Sequence, residues 1–166
     1  MGVIGERVRA VLITGDGHFL TIKRVRPGQA PYWVLPGGGV EPADDGLEAA
    51  LHREIQEELA GQAEIHSLLG VVDSGPDRQH IYLARILRYD FAARSGPEAR
   101  EDVRGEYLLH PLPLTSAALT TIALMPPQVA TLLAHCLTIT DDLFTLPDKR
   151  APRHGSDRPP TFGPRR

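Results

Sequence analysis

Three glutamates are the residues of this sequence whose type and spacing best suit a chemical step. Glu54, Glu57 and Glu58 stand at positions i, i+3 and i+4 of a segment with helical periodicity. At roughly 100° per residue these positions share one face of a helix, so the three carboxylates point the same way. Carboxylate oxygens suit Mg²⁺ or Mn²⁺, and those ions bind phosphate oxygens in turn. The spacing alone also fits a solvated acidic face on which Arg53 pairs with Glu57.

A run of glycines precedes the acidic segment. Gly37, Gly38 and Gly39 directly follow Pro36, and residues without a Cβ let a backbone carbonyl or amide come close to a ligand. A glycine-rich turn between a strand and a helix is also common as simple geometry. Taken together, the glycine run and the clustered glutamates predict a cation site that binds phosphate groups.

The helix that carries the glutamates must be anchored by its other side. Asp45 and Glu48 resemble a capping box at its start, and Gly61 can end it. Because the apolar residues are rotated away from the glutamates, the helix can pack on a core while its acidic face borders a cleft. The apolar stripe, at four-residue spacing, consists of Leu47, Leu51, Ile55 and Leu59.

Strand and helix patterns alternate along the rest of the chain. Apolar runs bounded by turn residues predict strands, and a proline before an apolar stretch predicts a helix start. The mixture predicts an α/β (α+β) fold. The predicted strands are 8–14, 19–25, 32–35, 65–72, 81–89 and 106–110, with a break at 36–39, a loop at 94–105 and a last helix from 126 or 127 to about 137.

Composition limits the function classes. The chain has 166 residues and no run near the ~20 apolar residues of a membrane span, so we expect one soluble domain. With 18 Lys and Arg against 21 Asp and Glu, duplex nucleic acid and membranes are not expected partners. Cys136 is the only cysteine and no secretory signal is recognisable, which favours the cytoplasm. Residues 1–146 are expected to form the domain, and the Pro- and Arg-rich tail 147–166 to be disordered or a docked arm.

The acidic segment resembles a known motif. Gly38-Gly-Val-Glu-Pro-Ala-Asp44, followed by Arg53-Glu-Ile-Gln-Glu-Glu58, is similar to the Nudix box, Gly-x5-Glu-x7-Arg-Glu-apolar-x-Glu-Glu-x-Gly-apolar. The approach to the box is similar as well, and the likeness covers about residues 7–138. The first glutamate of the motif falls on Asp44 with one residue inserted before Arg53, or on Asp45 if Gly39 starts the motif. Ala60 stands where the closing glycine is expected.

The resemblance implies a fold and an activity. The fold is an α/β/α sandwich with a mixed β-sheet between helices. The activity is divalent-metal-dependent hydrolysis of the pyrophosphate (phosphoanhydride) bond in a nucleoside diphosphate linked to another group, such as a nucleoside triphosphate, an ADP-ribose-like sugar nucleotide or a dinucleotide. The cofactor is Mg²⁺ or Mn²⁺, and a homodimer is common in similar proteins. A nucleotide- or sugar-nucleotide-sensing domain without catalysis is the alternative, disfavoured by the three retained glutamates.

The resemblance also implies roles for residues. The carbonyl of Gly37 and the carboxylates of Glu54, Glu57 and Glu58 would bind the ions, Glu54 can also act as general base, and Arg53 would hold the glutamates in place.

Several residues outside the motif are weaker candidates. Arg24 and Arg26 can grip phosphate or be solvated strand-edge residues. Tyr82 can stack on a base or belong to the core, as can Tyr32 and Trp33. Glu101 and Glu106 can supply an additional acid or be ordinary loop charges.

Overall fold

The computed structural model describes residues 5–95 and 105–150. Within them the chain forms seven strands and three α-helices, most of them close to the predicted ranges. The elements are β1 Gly5–Ile13, β2 His18–Val25, β3 Tyr32–Val34, β4 Gly37–Gly39, α1 Leu47–Leu59, β5 Gln62–Ser74, β6 Asp77–Arg88, β7 Glu106–Pro113, α2 Ser116–Leu119 and α3 Pro127–Ile139, with 3₁₀ turns at Phe91–Ala93 and Leu143–Thr145.

The strands form one mixed sheet, with β1 at its centre. Strand β1 runs parallel to β6 and antiparallel to β2 and β4. Strand β6 also pairs with β5, and β2 pairs with both β3 and β7, all antiparallel. The parallel pair among antiparallel ones confirms the predicted mixed sheet.

Helices cover the two faces of this sheet. Leu51 and Ile55 of α1 are fully buried in a cluster that includes Ala10 of β1. On the opposite face, Leu133 of α3 is buried in a second cluster that includes Val11. Successive residues of a strand point to opposite faces, which is why Ala10 and Val11 belong to different clusters. The layers confirm the expected α/β/α sandwich.

The prediction of a break at 36–39 is wrong for the three glycines. Gly37–Gly39 form the short strand β4, with Gly37 opposite Arg9 and Gly39 opposite Arg7. Strand β4 approaches β1 so closely that a Cβ on Gly37, whose φ is 146°, would overlap the carbonyl oxygen of Val8. The glycines therefore permit a tight strand pairing, which the local sequence does not predict.

Both ends of α1 differ from the prediction. The helix starts after Gly46, which has a φ of 93° and gives no side-chain cap, so the Asp45 and Glu48 capping box is absent. Instead, the Glu48 carboxylate accepts a hydrogen bond of 2.7 Å from Arg150. At the other end, Ala60 adopts the left-handed conformation (φ 45°), and Gly61 follows it. Ala60 and Gly61 donate N–H groups to carbonyls of the last helical turn.

The first residues after the predicted domain boundary lie against the body of the protein. Asp148 accepts a hydrogen bond of 3.0 Å from the N–H of Leu68 in β5, and Arg150 donates to the His66 carbonyl at 2.9 Å. The Arg150 guanidinium lowers the pKa of Asp148. Residues 147–150 thus dock on β5, whereas 151–166 lie outside the described residues. In the part of the chain that is described, no helix is long and apolar enough to cross a membrane.

Candidate active site

Two carboxylates of α1 are buried against the glycine strand. Glu54 and Glu58 expose 7% and 9% of their surface, respectively, although glutamate is rarely buried without partners. The N–H of Gly37 donates to Glu58 Oε2 at 3.2 Å. A Cβ on Gly38 would overlap the Glu54 carboxylate. Glycine at position 38 is therefore what allows α1 and β4 to bring these oxygens together.

Arg53 organises the rest of the acidic cluster. Its Nε and Nη2 donate to the two oxygens of Asp44 at 2.8 and 2.9 Å, and Nη2 also donates to the Gly39 carbonyl at 2.9 Å. Its Nη1 donates to Glu54 at 3.1 Å and to Glu57 at 3.3 Å. One planar guanidinium, a shape suited to bidentate binding, thus fixes the loop and two of the three helix glutamates.

The same contacts settle which aspartate takes the position of the first motif glutamate. Hydrogen bonds from Arg53 lower the pKa of Asp44 from 3.8 to about 2 and raise the pKa of Arg53. Asp45, by contrast, lies on the exposed side of the loop and has no ion pair among the described residues. The chain therefore accommodates one extra residue between Asp44 and the helix while keeping a carboxylate on Arg53.

The third helix glutamate, Glu57, is more exposed than the other two. The Glu57 side chain is 30% exposed, compared with 10% for Glu54. Two of the three helix carboxylates are therefore buried, and the third is the most accessible to solvent. An arrangement of this kind leaves one side accessible to a ligand that arrives from solvent.

Arg9 is a residue of this region that the sequence analysis missed. Its Nη1 donates to the carbonyl of Leu35 at 3.1 Å and to that of Gly37 at 3.2 Å. Burial lowers the pKa of Arg9, whereas the charges of Glu58 and Glu54 favour its protonated form. A charged residue inside the apolar run of β1 was the available signal, because a central strand seldom buries a cation without a partner.

The donor set suits a hard divalent cation in an open site. Oxygens of Glu54 and Glu58 lie beside β4, and the Gly37 carbonyl retains a second lone pair besides the one that Arg9 occupies. Within residues 5–95 and 105–150, no group of three or more acidic, imidazole or thiolate side chains is placed to hold a metal ion, so Glu54, Glu57 and Glu58 do not form a complete ligand set by themselves. Mg²⁺ commonly uses one or two carboxylates and completes its shell with water and substrate phosphates, so an open set fits it.

The structure places Arg24 close to the acidic cluster, whereas Arg26 lies just past the end of β2. The Arg24 guanidinium stacks on the Tyr107 ring at 3.5 Å, and Tyr107 and Glu58 line the same small cavity. Arg26 lies 6.0 Å from the centre of the Tyr32 ring. Arg24 is buried, which excludes the alternative of a fully solvated edge residue.

The remaining candidates are not brought to the glutamates. Tyr82 is a core residue that lines a different cavity, near the start of α1. Glu106 is exposed, on the face of β7 opposite that of Tyr107. Glu101 lies outside the described residues. Trp33 donates its indole N–H to His110 at 2.6 Å, which fixes its ring within the sheet.

The sequence is similar to a known domain family and to known proteins. The model of the NUDIX domain matches residues 4–113. A nucleoside triphosphatase NudI of Salmonella agona is 48% identical over 56 residues, which cover 31% of this chain and 37% of that protein. The diphosphoinositol polyphosphate phosphohydrolase 3-alpha of Mus musculus is 42% identical over 48 residues, 29% of each chain. The chain thus spans 37% of the length of the first relative and 29% of the length of the second.

Solved structures show the same fold. The crystal structure of a NUDIX hydrolase from Nitrosomonas europaea superposes with a TM-score of 0.61 at 18% identity, covering 83% of this chain and 72% of that one. The family match extends from β1 to the end of β7 and contains every element that contributes to the acidic cluster. The chain therefore belongs to the NUDIX domain family.

Proposed function

We propose that this protein is a divalent-metal-dependent hydrolase that cleaves the phosphoanhydride bond of a nucleoside diphosphate linked to another group. The observation that carries the proposal is the burial of Glu54 and Glu58 against β4, at a position where only glycine fits. Burying two carboxylates costs free energy, and a cation that binds them offsets that cost. Arg53 and the Gly37 N–H offset part of this cost, and a divalent cation would offset more of it.

The chain's own residues position the reacting groups. Arg53 fixes Glu54 and Glu57 relative to the loop, and Arg9 holds the Gly37 carbonyl from the other side of β4. The two arginines also reduce the repulsion among the carboxylates. A substrate phosphate therefore enters a site whose oxygen ligands are already oriented, which lowers the entropic cost of the reaction.

Gly37, Glu54, Glu57 and Glu58 are the residues that would hold Mg²⁺ or Mn²⁺. Such an ion neutralises phosphate oxygens and lowers the pKa of a water molecule that it binds. Glu54 is the best placed general base, because its carboxylate is buried in the site and fixed by Arg53. Arg24, stacked on Tyr107 next to the small cavity that Glu58 lines, is the proposed contact for a phosphate oxygen.

The substrate is proposed only as a class. The two relatives named above act, by their names, on nucleoside triphosphates and on diphosphoinositol polyphosphates. Each alignment, however, covers less than a third of this chain. The shared segment therefore specifies phosphoanhydride chemistry and not the attached group. Nucleoside triphosphates, sugar nucleotides and dinucleotides are the first substrates to test.

The experiment is a product assay with a matched pair of variants. Purified protein is incubated with Mg²⁺ or Mn²⁺ and a panel of these nucleotides, and the phosphate-containing products are separated and measured. We expect turnover of at least one compound, lost by orders of magnitude in Glu58→Gln and retained in Glu64→Gln, whose side chain is exposed on β5. Saturable binding without turnover would overturn the hydrolase proposal in favour of a sensing domain.

Three further expectations remain proposals. We place the catalytic domain in residues 1–146 and expect the protein to act in the cytoplasm. Homodimer formation is tested by the molecular mass in solution of the full chain and of a variant that ends at residue 146.

A further inference from the structure

Two arginines lie on the side of the glycine strand that faces away from the glutamates. Arg7 pairs with Gly39 of β4, and Arg9 pairs with Gly37. Paired residues of neighbouring strands share a face of the sheet, and a Cβ on Gly39 would lie 3.9 Å from Nη1 of Arg7. The middle glycine of β4 points to the other face, where a Cβ would overlap the Glu54 carboxylate. Strand β4 therefore has carboxylates on one side and this arginine pair, Arg7 and Arg9, on the other.

Neither arginine of the pair has a carboxylate partner among the described residues. Arg7 is half-buried and makes no hydrogen bond or ion pair with any of them. Arg9 donates from Nε to Gln79 and from Nη1 to two carbonyls, all neutral acceptors, while its Nη2 donates to none of the residues described. Burial lowers the pKa of Arg9 and the charge of Arg7 lowers it further, whereas Glu58 and Glu54, across β4, favour its charged form. Two cations that repel each other and keep unused donors favour the binding of an anion.

The spacing of the arginine pair suits a phosphate group. Residues two positions apart on a strand are separated by about 7 Å and point the same way. Two guanidiniums at that spacing can donate to one tetrahedral anion, and each presents a planar fork that matches phosphate oxygens. The paired residues on β4, Gly37 and Gly39, have no side chains, so an anion can approach the guanidiniums over this strand.

The arginine pair and the carboxylates meet at the free edge of β4. Among the described strands, β4 pairs only with β1. Gly37 donates its N–H to Glu58 Oε2 at 3.2 Å, and its carbonyl accepts from Arg9 Nη1 at 3.2 Å. Since the bonds along Gly37 add only about 4 Å, Arg9 Nη1 lies within about 11 Å of Glu58 Oε2. A ligand bound at the glutamates can therefore extend over this edge to the arginine pair.

We propose that Arg7 and Arg9 form an anion subsite that selects substrates carrying a phosphate monoester in addition to the diphosphate. The diphosphate lies at the glutamates, and the monoester extends over the free edge of β4 to accept hydrogen bonds from Arg7 and from Nη2 of Arg9. Phosphorylated sugar nucleotides and dinucleotides are therefore preferred to their unphosphorylated forms. The choice of substrate rests on the proposed hydrolase function, whereas binding of the anion needs neither turnover nor a metal ion.

Binding of inorganic phosphate tests the subsite by itself. The full chain, without metal, is titrated with sodium phosphate at constant ionic strength, and NMR follows the backbone amide of Gly39 and the Nε–H signal of Arg7. We expect a saturable shift of both signals. The affinity should fall about tenfold in Arg7→Gln and stay unchanged in Arg88→Gln, which removes the same charge from an exposed residue at the end of β6. Equal affinity in Arg7→Gln, or no saturable shift at Gly39, would overturn the proposal.

Arg7→Gln separates binding from folding. Since Arg7 has no hydrogen bond or ion pair among the described residues, its replacement should leave the melting temperature unchanged. Arg7→Lys keeps the charge but loses the planar fork, so it should bind phosphate more tightly than Arg7→Gln and more weakly than the wild type.

Three nucleotides of one scaffold test the choice of substrate. The dissociation constants of ADP-ribose, ADP-ribose 2′-phosphate and ADP-ribose 1″-phosphate are measured by calorimetry without metal, and their products are then analysed with Mn²⁺. At least one phosphorylated form should bind about tenfold more tightly than ADP-ribose, and Arg7→Gln should remove that advantage. Equal affinities of all three compounds would overturn the subsite even if each is hydrolysed. A tenfold preference without hydrolysis would support the subsite and overturn only the hydrolase function.

Discussion

Replacing Arg53 with lysine separates the positioning of the glutamates from their chemistry. Arg53 donates hydrogen bonds of 2.8 to 3.3 Å to Asp44, to the Gly39 carbonyl and to two helix glutamates at once. Lysine keeps the positive charge, but its single ammonium cannot span partners on both sides of a planar fork. Arg53→Lys should therefore loosen the carboxylates without adding a buried charge.

The expected loss follows from what such supporting contacts are worth. Residues that orient metal ligands typically contribute ~10- to 100-fold in metal affinity or activity. This corresponds to about 1.4 to 2.7 kcal/mol of transition-state stabilisation. Because Arg53 contacts the proposed metal ligands Glu54 and Glu57, much of the loss should appear as a higher half-saturating Mn²⁺ concentration, and excess Mn²⁺ should recover part of the rate.

The assay measures initial rates against Mn²⁺ concentration with the nucleotide that the product screen identifies. Arg88→Lys is the matched control, because Arg88 is exposed at the end of β6 and makes no ion pair within the described residues. Circular dichroism spectra verify that both variants are folded. An Arg53→Lys rate within twofold of the wild type at every Mn²⁺ concentration would refute the positioning role.

Three further changes test other parts of the account. Gly38→Ala places a Cβ on the Glu54 carboxylate and should abolish most activity, whereas Gly15→Ala, with open space around it, should not; equal rates of the two variants would contradict the close approach. Arg53 lowers the pKa of Asp44 from 3.8 to about 2, so the contribution of Asp44 to stability is present above pH 3.8 and is lost as the pH falls to about 2. The free energies of unfolding of the wild type and of Asp44→Asn should therefore converge over that interval. A difference that stays constant with pH would contradict the pairing of Asp44 with Arg53. Leu133→Ala, on the sheet face opposite α1, should lower the free energy of unfolding by about 2–5 kcal/mol in a urea titration while leaving metal binding intact.

Much of the site follows from local sequence. The spacing of the glutamates and of the apolar stripe is set by the helical period, so α1, its buried side and its acidic side are all readable from the residues. The structure puts Leu51 and Ile55 in the core and leaves Glu57 partly exposed, as that period requires, whereas the burial of Glu54 and Glu58 depends on β4. Strands β1, β2, β5, β6 and β7 were recognisable because each is bounded by turn residues.

What was missed depends on contacts between distant segments. The glycines of β4 look like a flexible break until β1 is present to pair with them, and Arg9 looks misplaced until it meets the Gly37 carbonyl. Likewise, the sequence left Asp44 and Asp45 equivalent, and the reach of Arg53 decides between them. Tyr82 was grouped with the substrate site on residue type alone, whereas strand order places it at the other end of α1.

The affinity of the protein for Mn²⁺ tests the central claim most directly. Electron paramagnetic resonance counts free Mn²⁺ during titration of the wild type, of the Glu54→Gln/Glu58→Gln double variant and of the Glu64→Gln control. If the buried carboxylates beside β4 hold the catalytic cation, the double variant binds Mn²⁺ at least ~10-fold more weakly while remaining folded, and the control binds it as the wild type does. Equal Mn²⁺ affinity in the wild type and the double variant would contradict the account.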